Sequence, residues 1–175
     1  MFKWPCLLIV IILVSIVSGC QDSSNSNQKA YHTRASAKEE AYVIRCIDGD
    51  TFIAELNGKQ ERIRLILVDT PETVHPNKPV QPFGKEASDF TKKMLEHHSV
   101  YLEYDKEKRD KYNRLLAYVY LTDGSSFNQE LLEKGYAWLA VFPPNTKYQE
   151  QYSKAEKTAK QKHRGVWGDE SGQLK

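Results

Sequence analysis

Asp48-Gly49-Asp50 and Asn57-Gly58 separate three runs of strand-forming residues, 41–47, 51–56 and 60–68. Asn-Gly is the strongest two-residue hairpin signal, because both central residues of that turn need positive φ. Links this short leave no room for a crossover, so the three strands must be antiparallel neighbours in a meander. The third run ends unusually. Four apolar residues, 65–68, lead directly into Asp69, Thr70, Pro71 and Glu72. An apolar strand therefore delivers two carboxylates, three positions apart, to one rim of the sheet.

The rest of the chain supplies partners for the meander. Pro71, Pro76, Pro79 and Pro82 mark a constrained loop. A helix then fits 83–97, with Phe83, Ala87, Phe90 and Met94 on one face. Residues 100–104 and 115–121 read as two more strands, joined by a charged loop. Ser126 and Gln129 form a capping-box pair opening a short helix that Gly135 stops. Residues 138–142 read as a short extended piece. A third helix fits 147–163, with Tyr148, Tyr152, Ala155 and Ala159 aligned and Gly165 at its end. Five strands with a helix after the third predict an α+β fold. Its expected form is a five-stranded OB-type Greek-key β-barrel with three α-helices.

The first twenty residues, MFKWPCLLIVIILVSIVSGC, stand apart from this pattern. Lys3 precedes an unbroken apolar run, and small residues follow, as in a secretory signal. The ending Val17-Ser18-Gly19-Cys20 resembles the bacterial lipobox, in which the cut falls before a lipidated cysteine. The expected organisation is a signal peptide over 1–19, lipidation at Cys20, a polar Ser/Asn-rich tether over 20–39, one domain over 40–168 and a tail over 169–175. It places the domain outside the cytoplasm, secreted or anchored to the cell membrane by lipid. Cys46 is then the only thiol in the domain and reads as a small apolar strand residue.

Charge is nearly balanced, with Lys+Arg 25 against Asp+Glu 23. A polyanionic partner would therefore meet a few placed cations and not a broad basic face. Candidates for placed groups come from three segments: CIDGDT at 46–51, RLILVDTPE at 64–72 and DKYNRLLAYVY at 110–120. Asp50 and Asp69 offer carboxylates and Thr70 a backbone carbonyl. Such hard oxygen donors suit Ca²⁺. Glu72 is spaced to act on a water as a general base. Arg64 and Arg114 are fork donors suited to phosphate. Asp48 reads as a turn residue.

In this combination the segments resemble the staphylococcal nuclease (thermonuclease) family over about residues 41–167. The resemblance implies calcium-dependent hydrolysis of DNA and RNA that leaves 3′-phosphate ends. It assigns catalysis to Arg64, Glu72 and Arg114, and calcium binding to Asp50, Asp69 and Thr70. It also assigns contact with a terminal phosphate of the nucleotide to Lys111 and Tyr112. Where the family carries tyrosines near its base pocket, this chain reads WLAVFPPNTKY, so Phe142 would stack on a base without offering a phenolic hydroxyl. The chain is expected to act as a monomer. The rival expectation is a catalytically silent OB module binding single strands or a protein partner.

One constraint works against the proposed site. Side chains alternate faces along a strand. Arg64 and Asp69, five apart, would face opposite ways unless the chain bends near Val68.

Overall fold

The computed structural model describes residues 38–73 and 81–168. The leader, Cys20, nearly all of the tether, the middle of the proline-rich loop (74–80) and the tail lie outside them.

Strands β1 (Glu39–Cys46), β2 (Thr51–Leu56) and β3 (Lys59–Leu65) form the expected antiparallel meander. Asn57 and Gly58 both adopt positive φ, 51° and 74°, as the Asn-Gly turn requires. A two-residue strand β4 (Val68–Asp69) follows, then helix α1 (Gly84–Leu95), β5 (Ser99–Glu103) and β6 (Leu115–Tyr120). Helix α2 (Phe127–Glu133), β7 (Trp138–Leu139) and helix α3 (Gln149–Gln161) complete the chain, with a 3₁₀ turn at Gly165–Trp167.

The five long strands close in the order β1-β2-β3-β6-β5, and β5 returns to pair with β1. Closure leaves the barrel no free edge. β3 and β6 pair in parallel, which needs a long crossover. The segment through β4, α1 and β5 provides it. This is the OB-type barrel with three helices that the strand pattern implied.

Alternation along the strands fills the interior. Val43, Phe52, Ala54, Ile63, Val100, Leu102, Ala117 and Val119 are fully buried. Each large apolar side chain among them contributes roughly 1.5–3 kcal/mol by leaving water. β1 carries a bulge between Val43 and Arg45, which lets one strand serve two partners.

Three details depart from the sequence reading. The run 60–68 is not one strand: it breaks at Ile66–Leu67, where Leu67 is buried with φ 61°. The first helix starts at Gly84, because Phe83 takes a left-handed conformation, φ 61° and ψ 2°. Its buried stripe is Ala87, Thr91 and Leu95, while Phe90 and Met94 are half-buried at its margin. Helical spacing was legible, but the direction of the barrel was not. Ser126 does cap α2, its hydroxyl accepting from Gln129 N–H at 3.4 Å. The Gln129 side chain donates to Glu133 rather than back to the cap, so half of the capping box forms.

Candidate active site

The break in the third strand builds the site. Ile63 and Leu65 point into the barrel, so Arg64 points out, its side chain only 13% exposed. The bend folds the chain back over it. Nη1 of Arg64 donates to the carbonyls of Val68, at 2.6 Å, and Leu65, at 3.1 Å. Nη2 reaches Asp69 Oδ1 at 3.1 Å and Asp50 Oδ2 at 3.2 Å. One guanidinium thus holds two carboxylates from two strand ends. The parity conflict disappears because Asp69 belongs to a separate strand, paired with Trp138 of β7.

Asp50 is 6% exposed and hydrogen-bonded at both carboxylate oxygens. Its Oδ2 also accepts from the Thr70 amide at 2.9 Å and the Thr70 hydroxyl at 3.2 Å. Its Oδ1 accepts from the Thr51 hydroxyl at 3.0 Å. Asp50, Asp69 and Thr70 are therefore brought together. Asp48 does the turn's work, accepting from the Asp50 amide at 3.0 Å, but it also lines the same pocket. Burial, followed by the neighbouring Asp50 charge, pushes its carboxyl up to about 6. Sequence spacing gave no sign of that second role.

Glu72 stands one step further along the rim. One carboxylate oxygen accepts from the Thr73 amide at 3.1 Å. Arg114 enters from the opposite side, just before β6. Asp110 holds it, Oδ2 accepting from Nε at 2.7 Å and Oδ1 from the Arg114 amide at 2.9 Å. Burial would raise the Asp110 carboxyl, but these bonds prevail and keep it below the usual carboxylate range. The Asp four residues before Arg114 was visible in the sequence without a reason to single it out.

Asp48, Asp50, Thr51, Arg64, Asp69, Thr70, Pro71, Glu72 and Arg114 line one polar hollow of about 190 Å³. Four carboxylates there face two guanidiniums. Such a surface repels a phosphodiester unless further positive charge is added. Oxygen donors from two carboxylates and a carbonyl fit a hard dication, with water and substrate completing its shell. Among the described residues, no group of three or more His, Cys, Asp or Glu side chains is arranged to hold a metal ion, so a cation here would need the Thr70 carbonyl, water and substrate beside its carboxylates.

A second cleft of about 490 Å³ adjoins the first and shares Arg64 and Arg114 with it. Lys111, Tyr112 and Phe142 all line it, with Val68, Leu116 and Pro143. Tyr112 and Phe142 are 68% and 72% exposed, so their rings are available to a ligand. Phe142 sits on a loop tied to the segment after β5. Asn145 exchanges two 2.8 Å hydrogen bonds with the Glu107 backbone, and the Lys147 amide donates to Asp105 at 3.0 Å. Lys147 also pairs with buried Glu103.

A closed five-stranded barrel bearing an acid–guanidinium pocket beside an aromatic cleft defines a class of protein that sets phosphate donors next to rings able to stack on a base. Comparison with known proteins narrows the class. The model of the family described as staphylococcal nuclease homologue matches residues 62–169. The thermonuclease of Staphylococcus hyicus is 46% identical over 163 residues, covering 93% of this chain and 96% of that protein. The thermonuclease of Staphylococcus intermedius is 45% identical over 160 residues, 91% of this chain and 95% of its own length. Endonuclease YncB of Bacillus subtilis (strain 168) is 48% identical over 125 residues, 70% of this chain and 59% of its own. The chain belongs to the staphylococcal nuclease family.

Proposed function

We propose that this chain is a calcium-dependent nuclease that hydrolyses DNA and RNA and leaves 3′-phosphate ends. Nuclease activity on nucleic acids rests on family membership and on thermonuclease and endonuclease relatives. The observation that carries the cation is the charge imbalance of the small hollow, with four carboxylates against two guanidiniums.

In this reading Asp50, Asp69 and the Thr70 carbonyl hold calcium. When bound, the cation supplies Lewis-acid polarisation of the phosphate and a template for the substrate. Arg114, and Arg64 once it gives up one of its carboxylate partners, donate to the phosphate oxygens where charge grows in the transition state. Preorganised donors of this kind are typically worth about 10²–10³ in rate each. Glu72 orients a water and accepts its proton as the water oxygen attacks phosphorus. The P–O5′ bond breaks, the 5′ oxygen takes up a proton, and the phosphate stays on the 3′ side. Lys111 and Tyr112 meet the terminal phosphate, and Phe142 stacks on a base.

The silent-module alternative would keep the barrel without the pocket. Arg64, Glu72 and Arg114 line a single hollow, which favours catalysis. Lipidation at Cys20 would place the domain outside the cytoplasm on the membrane face, where a polar tether lets it reach its substrate. We take it to work as a monomer.

Digestion of plasmid DNA and of RNA, with calcium titrated against chelator, tests the reading. Cleavage should vanish in excess chelator, and the ends produced should carry 3′-phosphates. Arg114→Ala and Glu72→Ala should each lose cleavage while keeping the wild-type circular dichroism spectrum. Full activity in excess chelator rejects the calcium assignment. Labelling of the intact cells' membrane fraction with a fatty-acid probe, lost in Cys20→Ala, tests the anchor.

A further inference from the structure

The Glu72 backbone is fixed at both polar atoms by one residue. Gln81 Oε1 accepts from the Glu72 amide at 2.8 Å. The Gln81 amide donates to the Glu72 carbonyl at 3.0 Å. The pair holds positions 72 and 81 together like one rung of a ladder. The next turn of chain then seals it. The Gly84 amide donates to the Gln81 carbonyl at 3.0 Å, and Gly84 lies hard against the 71–73 segment. A Cβ at position 84 would fall 2.9 Å from Thr73 Cγ2, 3.1 Å from the Glu72 carbonyl oxygen and 3.2 Å from the Pro71 carbonyl oxygen. Glu72 is therefore gripped between a glutamine side chain and the start of α1.

We propose that Gln81 is a positioning residue, whose side-chain carbonyl fixes the Glu72 backbone and so sets where the Glu72 carboxylate meets its water. This rests on the role given to Glu72 above. The physical reason is reach. A general base works only within hydrogen-bond distance of its proton, and small displacements cost large factors in rate. Two hydrogen bonds to one partner fix the Glu72 backbone against rotation at both its amide and its carbonyl. Gln81 reaches the site only through the Glu72 backbone and is not among the residues that line the hollow.

The test is steady-state kinetics of the full chain on a defined oligonucleotide at saturating calcium. Gln81→Leu removes the acceptor, and Gln81→Glu keeps an oxygen at the same reach. Gln81→Leu is expected to lower kcat about tenfold with KM within about twofold, and Gln81→Glu to restore most of it. In a Glu72→Ala background, Gln81→Leu should cost nothing further, because its effect passes through Glu72. Should Gln81→Leu fail to fold, Gly84→Ala displaces the same segment from the other side and should show the same loss of kcat. Wild-type kcat in Gln81→Leu or in Gly84→Ala, or an additive double variant, overturns the inference while Glu72→Ala still loses activity. Wild-type kcat in Glu72→Ala overturns the role given to Glu72, and this inference with it.

Discussion

Arg64 and Asp69 meet at 3.1 Å, Nη2 to Oδ1, although five positions separate them on one apolar run. The contact exists because the run breaks. Leu67 takes a left-handed backbone, the Ile66 amide donates to the Ala117 carbonyl at 3.0 Å, and buried Asn128 donates to the Ile66 carbonyl at 2.9 Å. Asn128 also accepts from the Val119 amide at 2.8 Å, so α2 clips the bend to β6. Each buried polar group left without its partner would cost about 1–3 kcal/mol. The bend is thus a built part of the barrel, and Asp69 is delivered by it.

Asp110 holds Arg114 by backbone and side chain, so its loss should loosen a phosphate donor. Asp110→Ala should lower kcat about tenfold, read in steady-state cleavage. The sign of its pH dependence is set by its lowered carboxyl pKa. Stabilisation from this contact is present above the ordinary aspartate range and is lost as pH falls through the folded-state value. Denaturation midpoints of wild type and Asp110→Ala should therefore differ at neutral pH and converge in acid.

Gly49 leaves no room for a side chain. A Cβ there would lie 2.8 Å from both Cγ2 and Oγ1 of Thr70. The Gly49 carbonyl also accepts from the buried Thr91 hydroxyl at 2.7 Å, so the turn cannot retreat easily. Gly49→Ala should displace Thr70 and raise the calcium concentration for half-maximal cleavage about tenfold, the usual scale for supports behind a metal ligand. Calcium titration of activity measures this, with a thermal melt to show that the barrel survives.

Phe142 should contribute to binding more than to chemistry, since it lines the wider cleft and not the acidic hollow. Stacking on a base is worth about 1–3 kcal/mol. Phe142→Ala should therefore raise KM about tenfold or more and leave kcat within about twofold. An equal fall in kcat would show that the ring acts on the reacting phosphate instead.

Cys46 is 8% exposed, and burial, followed by the Glu96 charge, pushes its thiol up to about 12. Little Cys46 thiolate is expected at pH 8 in the folded protein, so this thiol should react with an aromatic disulfide reagent only at the rate of unfolding. A raised thiol pKa also means stabilisation present below the ordinary cysteine value and lost as pH rises toward the folded one. Denaturation midpoints should fall on the alkaline side, and Cys46→Ala should fall less.

The amino-acid sequence alone determined the meander, the helix count, the cap at Ser126 and the residue types of the site. Those depend on local rules: turn chemistry at Asn57-Gly58, alternation along β2 and β3, and 3.6-residue spacing in α3. Tertiary structure decided the rest. It broke the third strand at Ile66–Leu67, where Ile66 and Val68 are buried although alternation from Ile63 and Leu65 would have turned them outward. It chose Ala87, Thr91 and Leu95 as the inner face of α1, placed Asp48 in the acid pocket, and recruited Asp110 and Gln81 as supports. No local rule marks such residues, since their roles arise only when distant segments arrive within hydrogen-bond range. The site's chemistry is written in the residues. Its geometry comes from closing a barrel, which compels one guanidinium to face two carboxylates.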